Sequence, residues 1–451
     1  MNKPIKKIHQ ALQKLLSWRH FKWLIIALFI AGTILRISFL FVGFTAQTND
    51  PQSYFYNAES LINTGELGNS NWWGRNYVAM FPYIFNYIWL LSVFMRIFGT
   101  GTLSILALNT FFSLIATGLI YLLFSRTISR RAGLLAAALW FINPVEIVFS
   151  ALPLPIIPVN TFIIAAVFVT YLLLRKRNQP KKFLSSGALL GLTLGLANIF
   201  RPLMAVFLIA LALVYVFMLI RRFRLLHLAT FAASLAIAWT VMSGIQSLAL
   251  LPAKRATDYQ NLNYFSGWSL LLGSNKEHHG TWNKHDEAIQ EEVMTETNGD
   301  WPEFDRRLRA IAIERYRSFS ASDFPLHWLN KSLVILAGPY YSIQFELRNY
   351  RNFGHIGYGI FTHVYLATLL LLLIFGLTRF ILTRHLQLTV LTALLTAAGI
   401  LAAHILLTEV MDRYSIPLIP LLFIAGFWGA FFTLPTQAHT TPRTKKSQLK
   451  K

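Results

Sequence analysis

Apolar runs close to membrane-spanning length recur along this 451-residue chain, at 24–44, 79–98, 103–124, 133–150, 158–174, 184–200, 203–220, 225–250, 358–377, 386–407 and 414–433. A helix needs about 20 apolar residues to cross a hydrocarbon core of about 30 Å, and in lipid a helix satisfies all of its own backbone polar groups. The pattern therefore predicts an all-α polytopic membrane protein. Two polar intervals are longer than the rest, 45–102 and 251–330. In the second, His285 to Thr295 and FDRRLRAIAIERYRSF repeat their apolar residues at helical spacing.

Charge orients the segments. Basic clusters without an acidic residue lie at 1–22, at Arg126/Arg130/Arg131, from Arg175 to Lys182, at Arg221/Arg222/Arg224, at Arg379/Arg384 and from Arg443 onward. Lys and Arg favour cytoplasmic loops. If all eleven segments cross, the clusters at 126–131 and 175–182 fall outside; withdrawing 79–98, which contains Pro82, Asn86 and Arg96, brings both inside. That segment is therefore expected to be a juxtamembrane or re-entrant helix on the outer face, leaving about ten transmembrane helices. All nineteen acidic residues then lie on or at the outer side. The division expected is a membrane module over 1–250 with its first outer loop at 45–102, an extracytoplasmic loop over 251–330, and C-terminal membrane helices with a basic tail over 331–451.

Composition narrows the class. With 55% hydrophobic and 13% charged residues and a mean hydropathy of +0.49, the chain is too apolar for a soluble protein of this size. The net charge of +22 is spread in short runs between apolar segments, which argues against nucleic acid as a partner. The absence of cysteine excludes disulfides and thiolate chemistry.

Chemistry is expected on the face that holds the carboxylates. Asp50 is the first acidic residue of the chain and precedes Pro51, Tyr54 and Tyr56. Asp followed by Pro is a favoured helix start, so Asp50 reads either as a cap or as a general base for a hydroxyl nucleophile. Arg201 and Arg413, the last followed by Tyr414, read either as snorkelling cations or as a fork for a lipid phosphate, and Arg75 is a further candidate on the same face. Asn275 opens the polar loop segment SNKEHHGTWNKHDE, whose histidines match no tight zinc spacing. Gly187, Gly191 and Gly195, four residues apart, predict a close helix crossing.

In order along the chain stand Asp50 with its following aromatics and NAESLINTGELG, then FPYIFNYIWLLSVFMRIFG, WFINPVEIVFS, Arg201-Pro202 and RYSIPLIP. The chain in this respect resembles the GT-C-type integral membrane glycosyltransferases, the group that includes protein mannosyltransferases and aminoarabinose transferases. The resemblance implies transfer of a sugar from a polyprenyl-phosphate donor to a glycan, lipid or protein hydroxyl at the outer face of the cell membrane, with inversion. It also implies Asp50 as base, and Tyr54, Tyr56, Arg75, Arg201, Asn275, Arg413 and Tyr414 as substrate or phosphate contacts. Pro51 stands where many relatives carry a second acid, and ALPLPIIPVN lacks the carboxylate often found there, so participation of a divalent metal stays open. The competing expectation is a transporter or flippase of a lipid-linked saccharide, which needs no base.

Overall fold

The structure, a computed structural model, describes residues 3–42, 50–68, 75–176, 179–221, 225–257, 266–347, 355–383 and 387–432. Among these there are helices and turns and no strand: α1 (Lys3–Ser17), α2 (Phe21–Val42), α3 (Asp50–Asn63), α4 (Arg75–Met80), α5 (Ile84–Phe98), α6 (Thr102–Thr127), α7 (Arg130–Phe141), α8 (Pro144–Ser150), α9 (Ile156–Arg175), α10 (Pro180–Asn198), α11 (Ala205–Arg221), α12 (Leu225–Thr257), α13 (Gly267–Gly273), α14 (Lys284–Thr297), α15 (Trp301–Arg317), α16 (Asp323–Leu347), α17 (His355–Thr383), α18 (Leu388–Leu406), a 3-10 turn at Asp412–Ser415, and α19 (Leu418–Phe431). The all-α, multi-pass expectation holds.

Among the described residues, α2, α6, α9, α12, α17 and α18 are long and apolar enough to cross a membrane. A seventh crossing forms if α7 and α8, bent by 50° at their junction, count as one. The bend has a local cause: Pro144 cannot donate into the preceding turn, and the Asn143 side chain caps the new helix by accepting from the Val145 N–H at 3.1 Å. Three further expected spans fall below this measure. Lys181, Lys182 and the small residues Ser185 and Ser186 dilute α10, while α11 and α19 are 17 and 14 residues long. Segment 79–98 becomes the two short helices α4 and α5 around Pro82, and α5, at 15 residues, is about 22 Å long.

The helix crossing predicted from the glycine stripe is present. A Cβ on Gly187, Gly191 or Gly195 would stand 2.2 Å from Ser234 Oγ, 2.5 Å from the Ala238 carbonyl oxygen and 2.8 Å from Ile245 Cδ1, all on α12. Gly376 on α17 and Gly429 on α19 meet in the same manner, 2.5 Å from a Gly429 Cβ to the Gly376 Cα. Backbones this close are typical where lipid supplies no hydrophobic drive between helices and packing must do so.

Arg36, inside α2, is 2% exposed. Its guanidinium donates to the Phe141 carbonyl at 2.6 Å and to Ser113 Oγ at 3.1 Å, and lies over the Phe141 ring. These bonds serve the bundle itself, at the bend between α7 and α8.

The loop region folds as α13 to α15 with the start of α16. Asn283 caps α14 and Asp300 caps α15. Buried Asp286 gathers this region by accepting from Asn275, Asn283 and Arg315 at 2.9, 2.8 and 2.7 Å.

Candidate active site

Asp50 is the first residue of α3, and both of its carboxylate oxygens meet side chains from elsewhere. Tyr77 on α4 donates its phenol to Oδ1 at 2.5 Å, and Arg413 in the 3-10 turn donates Nη2 to Oδ2. Capping alone does not account for this geometry, since segments 27 and 363 residues away converge on one carboxylate. The two ion-pair partners are 23% and 18% exposed for Asp50 and Arg413, so water or a substrate can still reach them. Burial, and then the neighbouring Asp50 charge, push the Tyr77 phenol well above 10, which keeps it a donor.

Arg413 is followed by Tyr414, and these neighbours face different partners. The Arg201 guanidinium lies 4.2 Å from the centre of the Tyr414 ring, a cation–π distance. Arg201 forms no ion pair among the described residues. It sits in the tight turn after α10, held where Asn198 Nδ2 donates to Gln246 Oε1 at 2.7 Å and Asn198 Oδ1 accepts from the Met204 N–H at 3.1 Å. The same turn receives Asn86 of α5, which donates to the Ile199 carbonyl at 3.1 Å.

A second carboxylate, unforeseen in the sequence, lies close by. Glu409 is 7% exposed and accepts from the Tyr414 hydroxyl and, at 3.3 Å, from Ser269 Oγ of α13. Burial raises its pKa against the lowering effect of those hydrogen bonds. Beside it Lys331, fully buried on α16, donates to the Thr408 carbonyl at 2.6 Å and to that of Gly273 at 3.3 Å. Desolvation pulls the Lys331 ammonium down to about 7.

The other residues marked from the sequence are distributed as follows. Tyr54 lies one turn above Asp50 on α3, buried, with its ring edge-on to Tyr87 at 5.6 Å. Tyr56 points the other way, 41% exposed and packed on Gly68. Asn275 is buried in the loop region, where its Nδ2 donates to Asp286 and its Oδ1 accepts from the His278 N–H at 3.0 Å. The structure does not bring Tyr56 or Asn275 to Asp50. Arg75 opens α4, and its side chain lies outside the described residues.

Among the described residues no group of three or more His, Asp or Glu side chains could hold a metal ion. The Asp50 carboxylate is met by a guanidinium, which repels a cation, so the residues present do not fit a metal at this position.

Taken together, a carboxylate stands beside one arginine, while a second arginine, which forms no ion pair among the described residues, rests on the ring of the next residue along. Such a set suits deprotonation of a hydroxyl next to a developing anion. Residues 85–245 match the family model of dolichyl-phosphate-mannose-protein mannosyltransferase. No curated protein matches the chain. Among solved structures, the archaeal oligosaccharyltransferase AglB from Archaeoglobus fulgidus, in complex with an inhibitory peptide and a dolichol-phosphate, is 15% identical over 91% of this chain and 50% of that chain, with a TM-score of 0.48. ArnT from Cupriavidus metallidurans in the apo state is 10% identical over 90% of this chain and 77% of that chain, with a TM-score of 0.37. This chain thus spans about half the length of that oligosaccharyltransferase. Over residues 85–245 the chain is similar to the dolichyl-phosphate-mannose-protein mannosyltransferases, within the GT-C-type group that its motifs resemble.

Proposed function

We propose that this protein is a glycosyltransferase that moves a sugar from a polyprenyl-phosphate-linked donor to a hydroxyl acceptor at the outer face of the membrane, with inversion at the anomeric carbon. The observation that carries the reading is the convergence of Asp50 and Arg413, with Arg201 resting on the neighbouring Tyr414. The outer-face assignment is supported by the charge pattern of the sequence, in which the basic clusters gather on the opposite side.

In the resting site Arg413 neutralises Asp50. An arriving lipid phosphate competes for that guanidinium, and sharing it leaves the Asp50 Oδ2 oxygen free to meet the acceptor hydroxyl. The acceptor O–H proton then passes to an Asp50 oxygen as the acceptor oxygen bonds to the anomeric carbon. On the opposite side the bond from that carbon to the phosphate oxygen breaks, and its electron pair leaves with the lipid phosphate. Arg201 and Arg413 face the charge that develops there, and donors aimed at developing charge are worth most in a site with little water. Tyr77 keeps Asp50 oriented through the short phenol hydrogen bond.

The test is label transfer from a radiolabelled polyprenyl-phosphate sugar by membranes carrying the wild type or Asp50→Asn. Loss of a positioned base should lower the rate by about 10²–10⁴-fold. Transfer by the variant at the wild-type rate would refute the base assignment. No transfer by either, with labelled lipid reaching the other leaflet, would favour the transporter.

A further inference from the structure

The strip between α18 and α19 is pinned from several sides, and the pinning converges on Glu409. Lys331 donates to the Thr408 carbonyl, the His404 ring nitrogen Nδ1 lies 3.2 Å from the Glu409 carbonyl oxygen, and the Val410 N–H donates to the Gly280 carbonyl at 2.9 Å. With its backbone fixed in this way, the Glu409 carboxylate offers one oxygen to the Tyr414 hydroxyl and to Ser269. A tyrosine ring held at its backbone and at its hydroxyl has little freedom to tilt. The Tyr414 ring carries the Arg201 guanidinium, and the His404 ring packs against it with centres 4.8 Å apart and planes 31° apart.

Among the described residues Glu409 makes no hydrogen bond or ion pair to Asp50 or Arg201; the Arg413 and Asp50 charges act on it through space, and its direct contact with the site is the Tyr414 hydroxyl. We propose that Glu409 is a positioning residue: by holding the Tyr414 hydroxyl it sets the ring on which Arg201 rests, and so sets the affinity of the site for the donor phosphate. This rests on the reading of Arg201 as a phosphate contact. A cation–π pair at a partly desolvated site is worth about 0.5–2 kcal/mol, which corresponds to a change of about 2- to 30-fold in binding.

The experiment uses the full chain in lipid nanodiscs and compares wild type, Glu409→Ala, Glu409→Gln, Tyr414→Phe, Arg201→Ala and the Glu409→Ala/Tyr414→Phe double variant. Donor KM and kcat are measured by label transfer. In parallel, polyprenyl phosphate lacking the sugar is titrated as the binding probe, which reads the phosphate contact whether or not transfer occurs. Glu409→Ala and Tyr414→Phe should each raise donor KM and the probe Kd by about 5- to 10-fold, with a fall in kcat no larger than that, because Arg201 also faces the charge that develops on the phosphate. The double variant should be no worse than either single one, because both remove the same hydrogen bond. Glu409→Gln, whose amide oxygen accepts from the same hydroxyl, should restore most of the affinity. Additive single effects, a loss confined to kcat, or failure of Glu409→Gln to rescue would overturn the proposal. If Arg201→Ala leaves the probe Kd unchanged, the phosphate reading of Arg201 fails and the proposal falls with it. If Arg201→Ala weakens the probe while Glu409→Ala and Tyr414→Phe do not, the proposal alone fails.

Discussion

Replacing Gly191 by alanine should loosen both the bundle and the site, through one helix crossing. The added methyl would lie 2.5 Å from the Ala238 carbonyl oxygen and 2.8 Å from its Cα, both backbone atoms that cannot swing aside. Restoring an ordinary 3.4 Å contact requires α10 and α12 to part locally by about 0.9 Å. A gap of that size forfeits about a quarter to a half of the dispersion attraction of the atoms facing it. The neighbouring contacts of Gly187 with Ser234 and Gly195 with Ile245 lie on the same seam and weaken with it. Forced overpacking of this kind typically costs about 1–3 kcal/mol. The Asn198–Gln246 bond at the end of the same helix pair, 2.7 Å long, would stretch toward about 3.6 Å, beyond hydrogen-bonding range. The turn that carries Arg201 then loses a support, and donor KM should rise along with a fall in the apparent Tm of the purified protein. Gly244→Ala on α12 is the control, because a Cβ there meets nothing within 4 Å. Equal melting temperatures for Gly191→Ala and wild type, or equal losses in Gly191→Ala and Gly244→Ala, would refute the reasoning.

Two further expectations concern the charged residues near the site. Arg413→Lys keeps the charge but replaces a planar fork by a point charge, and kcat/KM for label transfer should fall by about 10- to 100-fold; an unchanged value would show that charge alone suffices. Lys331 has a folded pKa of about 7 against an ordinary 10.5. Its contribution to stability is present above about 10.5 and is lost as the pH falls through about 7, because the unfolded chain binds the proton more tightly. The difference in apparent Tm between wild type and Lys331→Met should therefore move in favour of the wild type as pH rises from 7 to 10, and a constant difference would refute this.

How much of the site could be read from the sequence depended on what each partner was. The glycine stripe was legible because a spacing of four is itself the periodicity of one helix face. Asp50 and Arg413 were legible as charges in suggestive motifs, although nothing in the sequence shows that residues 363 positions apart form a pair. Tyr54 and Tyr56 looked equivalent in the sequence, yet on a helix a residue four positions after Asp50 shares its face and one six positions after does not. Their opposite environments follow from that. Lys331 and Glu409 were missed for different reasons. Lys331 binds two backbone carbonyls, and carbonyls leave no mark in a sequence. Glu409 stands in the short gap between the apolar runs 386–407 and 414–433, where an acid reads as solvated, and the packing of α13 and the 3-10 turn around it makes it a buried group. The acceptors of Arg36, the Phe141 carbonyl and Ser113, come from three-dimensional packing of α7 and α6, which no motif announces.

The C-terminal end of α19 is closed by side chains from α1 and α17. His9 lies 3.1 Å from the Ala430 carbonyl oxygen, Gln13 donates to that of Phe431 at 3.0 Å, and Arg379 donates to that of Gly429 at 3.0 Å. His9 and its partner are 421 residues apart. At ribosomal rates of about 5–20 residues per second, α1 waits roughly 20–80 s after its own synthesis before the end of α19 that it closes exists. Through that interval α1 can already meet α2 and the Arg131 guanidinium, which donates to the Leu16 carbonyl at 2.9 Å, but not the end of α19. Asp50 waits almost as long for Arg413. Assembly therefore closes late at both places: α1 meets the end of α19, and Asp50 meets Arg413, only after most of the described chain has been made.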